Sequence, residues 1–178
     1  MQARGPLMIE HRLIEKMITV IQKKLEIAGQ TLFIDPYFVD TAVDFIRIYA
    51  DRTHHGKEED ILFSKLKKKK LSDKDNQLMD ELIKDHMLGR KTTQSLSDAN
   101  ARYHNGDSAS FPRVIARLKT ITEFYPKHIM KEDNIFFPAS RNYFTAEEDR
   151  EMLSEFREFD RKMIHEKYEA LVADLELK

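Results

Sequence analysis

Residues 53–63 read THHGKEEDILF, and residues 128–137 read HIMKEDNIFF. The two segments align without a gap from His54 and from His128, as His-x-x-x-Glu-acid-x-Ile-x-Phe. Residues four apart share one face of a helix, so His54 and Glu58 stand one turn apart, as do His128 and Glu132. An imidazole and a carboxylate in that relation can reach the same metal ion. Two such pairs on two helices can hold two ions between them.

The segments before each copy carry apolar residues three and four apart. Val39, Val43, Ile46 and Ala50 lead to His54, Glu58 and Ile61, and Val114, Leu118, Ile121 and Tyr125 lead to His128, Glu132 and Ile135. The same spacing places His11 on the stripe of Ile14, Ile18, Ile21 and Leu25, and His86 on that of Met79, Leu82, Gly89, Thr93 and Leu96. Helices are expected from about Leu7 to Ala28 with Gly29 as C-terminal cap, from Asp35-Pro36 to the lysines at 67–70, from Ser72 to about His104, and from Ser110 or Pro112 to Pro138. Pro126 is expected to bend the fourth. Thr145 to Glu148 forms a capping box that opens a fifth helix, expected over about 146–176 outside the core. Short connections favour antiparallel neighbours. The expected architecture is therefore all-α: a single domain over 1–178, with an up-down-up-down four-helix bundle over about 7–140 and an additional C-terminal helix.

That arrangement has a consequence. His11 lies near the start of its helix, His54 in the second half of the next, His86 in the first half of the third and His128 near the end of the fourth. All four fall at one level of an up-down-up-down bundle. The candidate metal-ligating set is His11, His54, Glu58, His86, His128 and Glu132. Burying two carboxylates and four imidazoles without a cation costs several kcal/mol for each unpaired charge. At about 100° per residue, His55 and Glu59 turn away from the stripe. His55 is then a group behind the ligands, and His55→Ala is expected to leave about two ions bound. His104 and His165 also fall off the stripes, and no catalytic residue is singled out.

Composition narrows the chemistry. The 178 residues include no cysteine, so thiolate ligands, disulfides and cysteine-held clusters are excluded. Imidazole and carboxylate without sulfur suit iron or manganese well and zinc less so. With a formal net charge of -1 there is no general attraction to nucleic acid, and the lysines at 67–70 read as favourable charge at a helix C-terminus. No stretch approaches a membrane span, and the N-terminal residues are not a secretory leader, so a cytoplasmic location is expected. If each ion takes two histidines and one oxygen of each glutamate, about two of six positions remain. One suits a bridging oxygen and the other a small molecule. Tyr49, Tyr125 and Gly89 are expected to wall that position.

IEHRLIEKM with His11, DRTHHGKEEDILF with His54 and Glu58, KDHMLGR with His86, and YPKHIMKEDNIFFP with His128 and Glu132 together resemble the hemerythrin-like family of histidine–histidine–glutamate cation-binding domains. The resemblance implies a four-helix bundle with two iron ions in an Fe–O–Fe type centre, manganese or zinc being possible in purified protein. It implies binding, sensing or scavenging of O2, NO or peroxide. The four-histidine, two-glutamate set is similar to bacterial di-iron proteins of nitrosative stress, which implies iron storage, donation or repair of iron centres as the alternative. Oxygen-carrying members place a second histidine four residues after the first on the third helix, where this chain has Arg90. They end the fourth-helix motif with Asp one position beyond Glu132.

Overall fold

The computed structural model describes residues 3–176, with side chains as far as Met163. The described residues form five long helices and no strand. We label them α1 (Arg4–Thr31), α2 (36–66), α3 (Asp73–His104), α4 (111–140) and α5 (Ala146–Glu176). The caps that the sequence announces are in place. The Asp35 carboxylate accepts the Tyr37 N–H at 3.0 Å, with Pro36 in the first turn of α2. The Ser72 hydroxyl accepts the Asp75 N–H at 3.1 Å. At α5, Glu148 N–H donates to the Thr145 hydroxyl and Thr145 N–H donates to the Glu148 carboxylate, a reciprocal box.

Two expectations, on Gly29 and Pro138, are corrected. Gly29 lies inside α1, and the helix ends at Leu32, whose φ of 54° is left-handed and whose N–H reaches the Ala28 carbonyl. That bond satisfies the carbonyl of buried Ala28, and the Leu32 side chain itself is exposed. Pro126 lies inside α4, which stays helical through Phe111–Lys131. Pro138 does not end it, but sits in the first turn of a last helical stretch, Phe137–Ser140. A residue without an N–H costs least where the hydrogen-bond ladder already changes register, and Pro138 follows such a change.

That change of register is the most consequential local feature. Ile46–His55 and Glu58–Phe63 of α2, and Glu132–Phe136 of α4, are π-helical, with i→i+5 bonds and a wider turn. The Gly56 N–H reaches the carbonyl of Asp51, five residues back, and the Thr53 hydroxyl reaches that of Ile48 at 2.7 Å. All three segments fall on or beside the two copies of the repeated motif.

Two apolar clusters form the core. One gathers Ile14, Ile18, Val39, Ile46, Leu96, Leu118 and Ile121, and the other Leu7, Phe63, Leu66, Met79, Leu82, Phe136 and Phe137. On each of α1 to α4 the candidate ligands lie between a stretch belonging to one cluster and a stretch belonging to the other. The polar site is therefore a layer sealed by hydrocarbon above and below. Helices α2 and α3 are antiparallel: Asn100 binds the Pro36 carbonyl, Arg47 meets Gln94, and Arg90 meets Asp51, in opposite chain order. None of the described helices is long and apolar enough to cross a membrane.

Helix α5 adds Met152 and Phe156 to the second cluster and docks on α2 at the motif itself. A Cβ at Gly56 would stand 2.7 Å from the Phe159 ring, so only glycine admits this approach without displacing that ring. Next to it Lys57, fully buried, is ion-paired with both Glu10 of α1 and Asp160 of α5. Removing one partner of a buried pair strands the other charge. Lys57→Met should therefore cost about 3 kcal/mol in chemical denaturation, whereas Asp160→Asn, at the half-exposed end, should cost under about 1 kcal/mol.

Candidate metal centre

Each helix delivers its ligand from the inward stripe, and the six candidates are buried: His11, Glu58, His86 and Glu132 at 0% exposure, His54 at 1% and His128 at 2%. They fall into two groups. One nitrogen or oxygen from each of His11, His54, Glu58 and Glu132 lies within 4.8 Å of the others, and so does one nitrogen from each of His55, His86 and His128. The two glutamates straddle the groups. Glu58 turns Oε1 to His54 Nε2 at 3.6 Å and Oε2 to His86 Nε2 at 3.4 Å. Glu132 turns Oε2 to His11 Nε2 at 3.2 Å, and Oε1 to His128 and His86 at 3.3 and 3.6 Å.

His55 belongs to this layer, contrary to the phase argument. It is 1% exposed and stacks on the His86 ring at 3.9 Å between centroids. The assumption of about 100° per residue fails because α2 is π-helical here, and the wider turn lets two consecutive residues face inward. Glu58 stays inward while Glu59 remains partly exposed, as the spacing predicts. His104, near the surface beside Asp40 and Tyr37, joins neither group. The side chain of His165 lies outside the described residues.

The outer nitrogens form a ring that the sequence reading did not foresee. Each ligand motif carries an adjacent carboxylate that reaches the histidine of the next helix. His54 Nδ1 donates to Glu10 of α1 at 2.8 Å, and His86 Nδ1 to Glu59 of α2 at 2.7 Å. His128 Nδ1 meets Asp85 of α3 at 3.4 Å, and His11 Nδ1 donates to Asp133 of α4 at 2.8 Å. A cation stands behind each carboxylate: Lys57, Arg90, Lys131 and Arg12 respectively. Such partners fix the imidazole tautomer and aim Nε2 at the centre. The signal was available: acidic residues at 10, 59, 85 and 133 each flank a candidate ligand.

Among the described residues, nine buried side-chain atoms have no hydrogen-bond partner, and eight of them are here: Nε2 of His11, His54, His86 and His128, and both oxygens of Glu58 and Glu132. An unsatisfied buried group costs roughly 1–3 kcal/mol. Eight together rival the whole stability of an ordinary domain. Nitrogen and carboxylate donors converging on two points, with the other nitrogens already held, suit divalent or trivalent cations.

Protons are the competing occupants. Burial pulls the His11 pKa down, but Asp133, Glu132 and Glu58 outweigh it and raise it to about 10. Burial is likewise outweighed at His86, which Glu132, Glu58 and Glu59 raise to about 11. Burial and the neighbouring imidazoles push His55 the other way, well below its ordinary value. Burial raises Glu132, but His128, His11 and His86 hold it well below the usual carboxylate range. Loading cations at pH 7.5 into protein stripped by a chelator should thus release about two protons per chain, fewer as pH nears 10. Indicator-dye titration in weak buffer measures this.

A cavity of about 170 Å³ opens between α2 and α3, lined by Ile46, Asp51, His55, Gly89, Arg90 and Tyr125 among others. Gly89 and Tyr125 thus share a wall with His55. Tyr49 does not, and instead lines a separate space of about 590 Å³ beside Glu10 and Asp160.

Comparison with known proteins adds one finding to this geometry. The sequence model of the hemerythrin HHE cation-binding domain matches residues 6–140, from the start of α1 to the end of α4. No curated protein and no solved structure matches. The matched span contains every residue that lies in the buried polar layer, and of the five helices it leaves out α5 alone. The chain belongs to the hemerythrin HHE cation-binding domain family.

Proposed function

We propose that this protein is a non-haem di-iron protein that binds, senses or scavenges O2, NO or peroxide. The observation that carries the reading is the pair of buried glutamates, each with one oxygen turned to each group of histidines. A carboxylate shared in that way calls for two cations side by side, and four-helix bundles build di-iron sites in this manner. In this reading the helices run up-down-up-down, and His11, His54, His86, His128, Glu58 and Glu132 hold the ions. Imidazole and carboxylate without sulfur favour iron over zinc.

A di-iron pair supplies reversible binding, or reduction, of a small oxygen- or nitrogen-containing molecule. The chain's own residues do the rest. The two apolar clusters exclude water from both ends of the site. The carboxylate ring holds every outer imidazole nitrogen, so the ligands stay aimed while the occupant of the open position changes. Near-complete burial of the ligands argues against the alternative of rapid iron storage and donation, which needs an exit for the ion.

The test is to load the protein with iron, reduce it, add O2, NO and peroxide separately, and record optical and Mössbauer spectra. A new charge-transfer band or a changed iron spectrum with at least one of them is expected. No response to any of the three would remove the reading.

A further inference from the structure

We propose that a cleft between the C-terminal end of α3 and the N-terminal end of α4 binds a small polyphosphate anion, held by Arg102, Arg113 and Arg117. The cleft measures about 350 Å³, within the range of small-molecule sites. It stands apart from the buried polar layer and does not depend on the cation pair. Along α4, Arg117 precedes His128 by roughly three turns, about 16 Å.

Three observations carry it. The first is convergence. Arg102 comes from the last turn of α3, and Arg113 and Arg117 come from the first two turns of α4, to line one opening. The lining between them is small, with Ser95 and Ala99 on α3 and Ala116 on α4, so there is room for an anion. The second is the lack of partners. Among the described residues, Arg102, Arg113 and Arg117 take part in no hydrogen bond or ion pair. Arg12, Arg90 and Arg161, by contrast, each meet a carboxylate. Arg102 is passed over even by Asp98, the one carboxylate at helical spacing from it. Asp98 instead accepts from the Gln94 amide at 2.8 Å, and Gln94 accepts from Arg47 at 2.7 Å. The third is electrostatic opposition. Arg113 and Arg117 are like charges one turn apart, which is unfavourable. Arg113 also lies in the first turn of α4, where the helix dipole disfavours a cation and no acidic residue offsets it. A bound anion reverses both effects.

The chemistry of the donors selects the ligand. A guanidinium offers paired N–H donors in a planar fork that matches two oxygens of a phosphoryl group. The arginines stand on packed helices whose axes are about 8–10 Å apart, a span that two linked phosphoryl groups bridge better than one. A carboxylate monoanion has neither the charge nor the reach. Asp98 also lines the cleft and opposes any anion there, so three positive charges face one negative charge. Its removal should strengthen binding, which a merely structural role for these residues does not predict.

The experiment titrates the protein as purified with pyrophosphate, ATP and acetate by calorimetry, at low and at moderate salt. One pyrophosphate per chain is expected, bound more weakly as salt rises, with no binding of acetate. Arg113→Gln and Arg117→Gln should each weaken pyrophosphate about tenfold. Asp98→Asn should tighten it. Helical content and thermal midpoint should match wild type in all three, since the substituted side chains are exposed. ATP at the affinity of pyrophosphate identifies a free polyphosphate group as the ligand, and tighter ATP identifies a nucleotide; either supports the site. Pyrophosphate taken up by the metal centre would bind alike in wild type and in both arginine variants, and that result overturns the site. Acetate binding as well as pyrophosphate would also overturn it. So would a single-stranded oligonucleotide binding more tightly than ATP, the mark of an open basic face rather than a cleft.

Discussion

Glu132→Ala should empty both cation positions while leaving the helices in place. Glu132 is the one side chain within 3.6 Å of an imidazole nitrogen from His11, His86 and His128, three of the four helix stripes being involved. Deleting it removes an oxygen from each position and one of the two negative charges that offset the cations. Loss of a group behind a ligand costs about 10–100-fold in metal affinity. Loss of a ligand shared by two ions should exceed that on both, so metal content after gel filtration should fall from about two per chain to nearly none. Asp133→Asn is the control. Of the candidate ligands Asp133 touches only His11, at its outer nitrogen, so one site should weaken by about 10–100-fold while the other stays filled. Helical content by circular dichroism should match wild type in both. Two ions retained by Glu132→Ala would show that Glu132 is not shared.

Much of this layer was legible because α1 and α3 are regular. His11 and His86 each follow from a stripe of apolar residues three and four apart, and both are fully buried. The caps at Asp35, Ser72 and Thr145 were legible for the same reason, since capping depends on local chemistry. His55 was not legible, because phase arguments assume one helical period and α2 changes period within the motif. Pro138 misled for a related reason: a proline stops a regular helix, but it is tolerated where the ladder changes register. The carboxylate ring was hidden differently. Periodicity sorts residues into inward and outward, whereas Glu10, Glu59, Asp85 and Asp133 sit at the boundary and act across to a neighbouring helix. Their adjacency to the ligands, repeated on all four helices, is the pattern to seek in related chains.

Stripping the cations with a chelator should lower the thermal midpoint by roughly 15–30 °C at pH 7.5. A ligand at about 1,000 times its dissociation constant adds about 4 kcal/mol per site. Two sites add about 8 kcal/mol, and each kcal/mol moves the midpoint of a chain of this size by about 2–4 °C. The stripped protein should still fold, because protonated His11 and His86 can neutralise the buried glutamates, their pKa values being raised to about 10 and about 11. The sign of the pH dependence follows. A raised folded-state pKa contributes stability that is full below the unfolded value near 6.5 and is lost as pH climbs through the folded value. Stripped protein should therefore weaken between about pH 6.5 and 11. Loaded protein should move the other way, since protons compete with the cations for the same nitrogens and oxygens. The gap between the two midpoints should widen from pH 6 through 7.5 to 9, in calorimetric scans of matched samples. A gap that stayed constant or narrowed would mean that protons and cations do not share these ligands, and that the buried glutamates are neutralised in some other way.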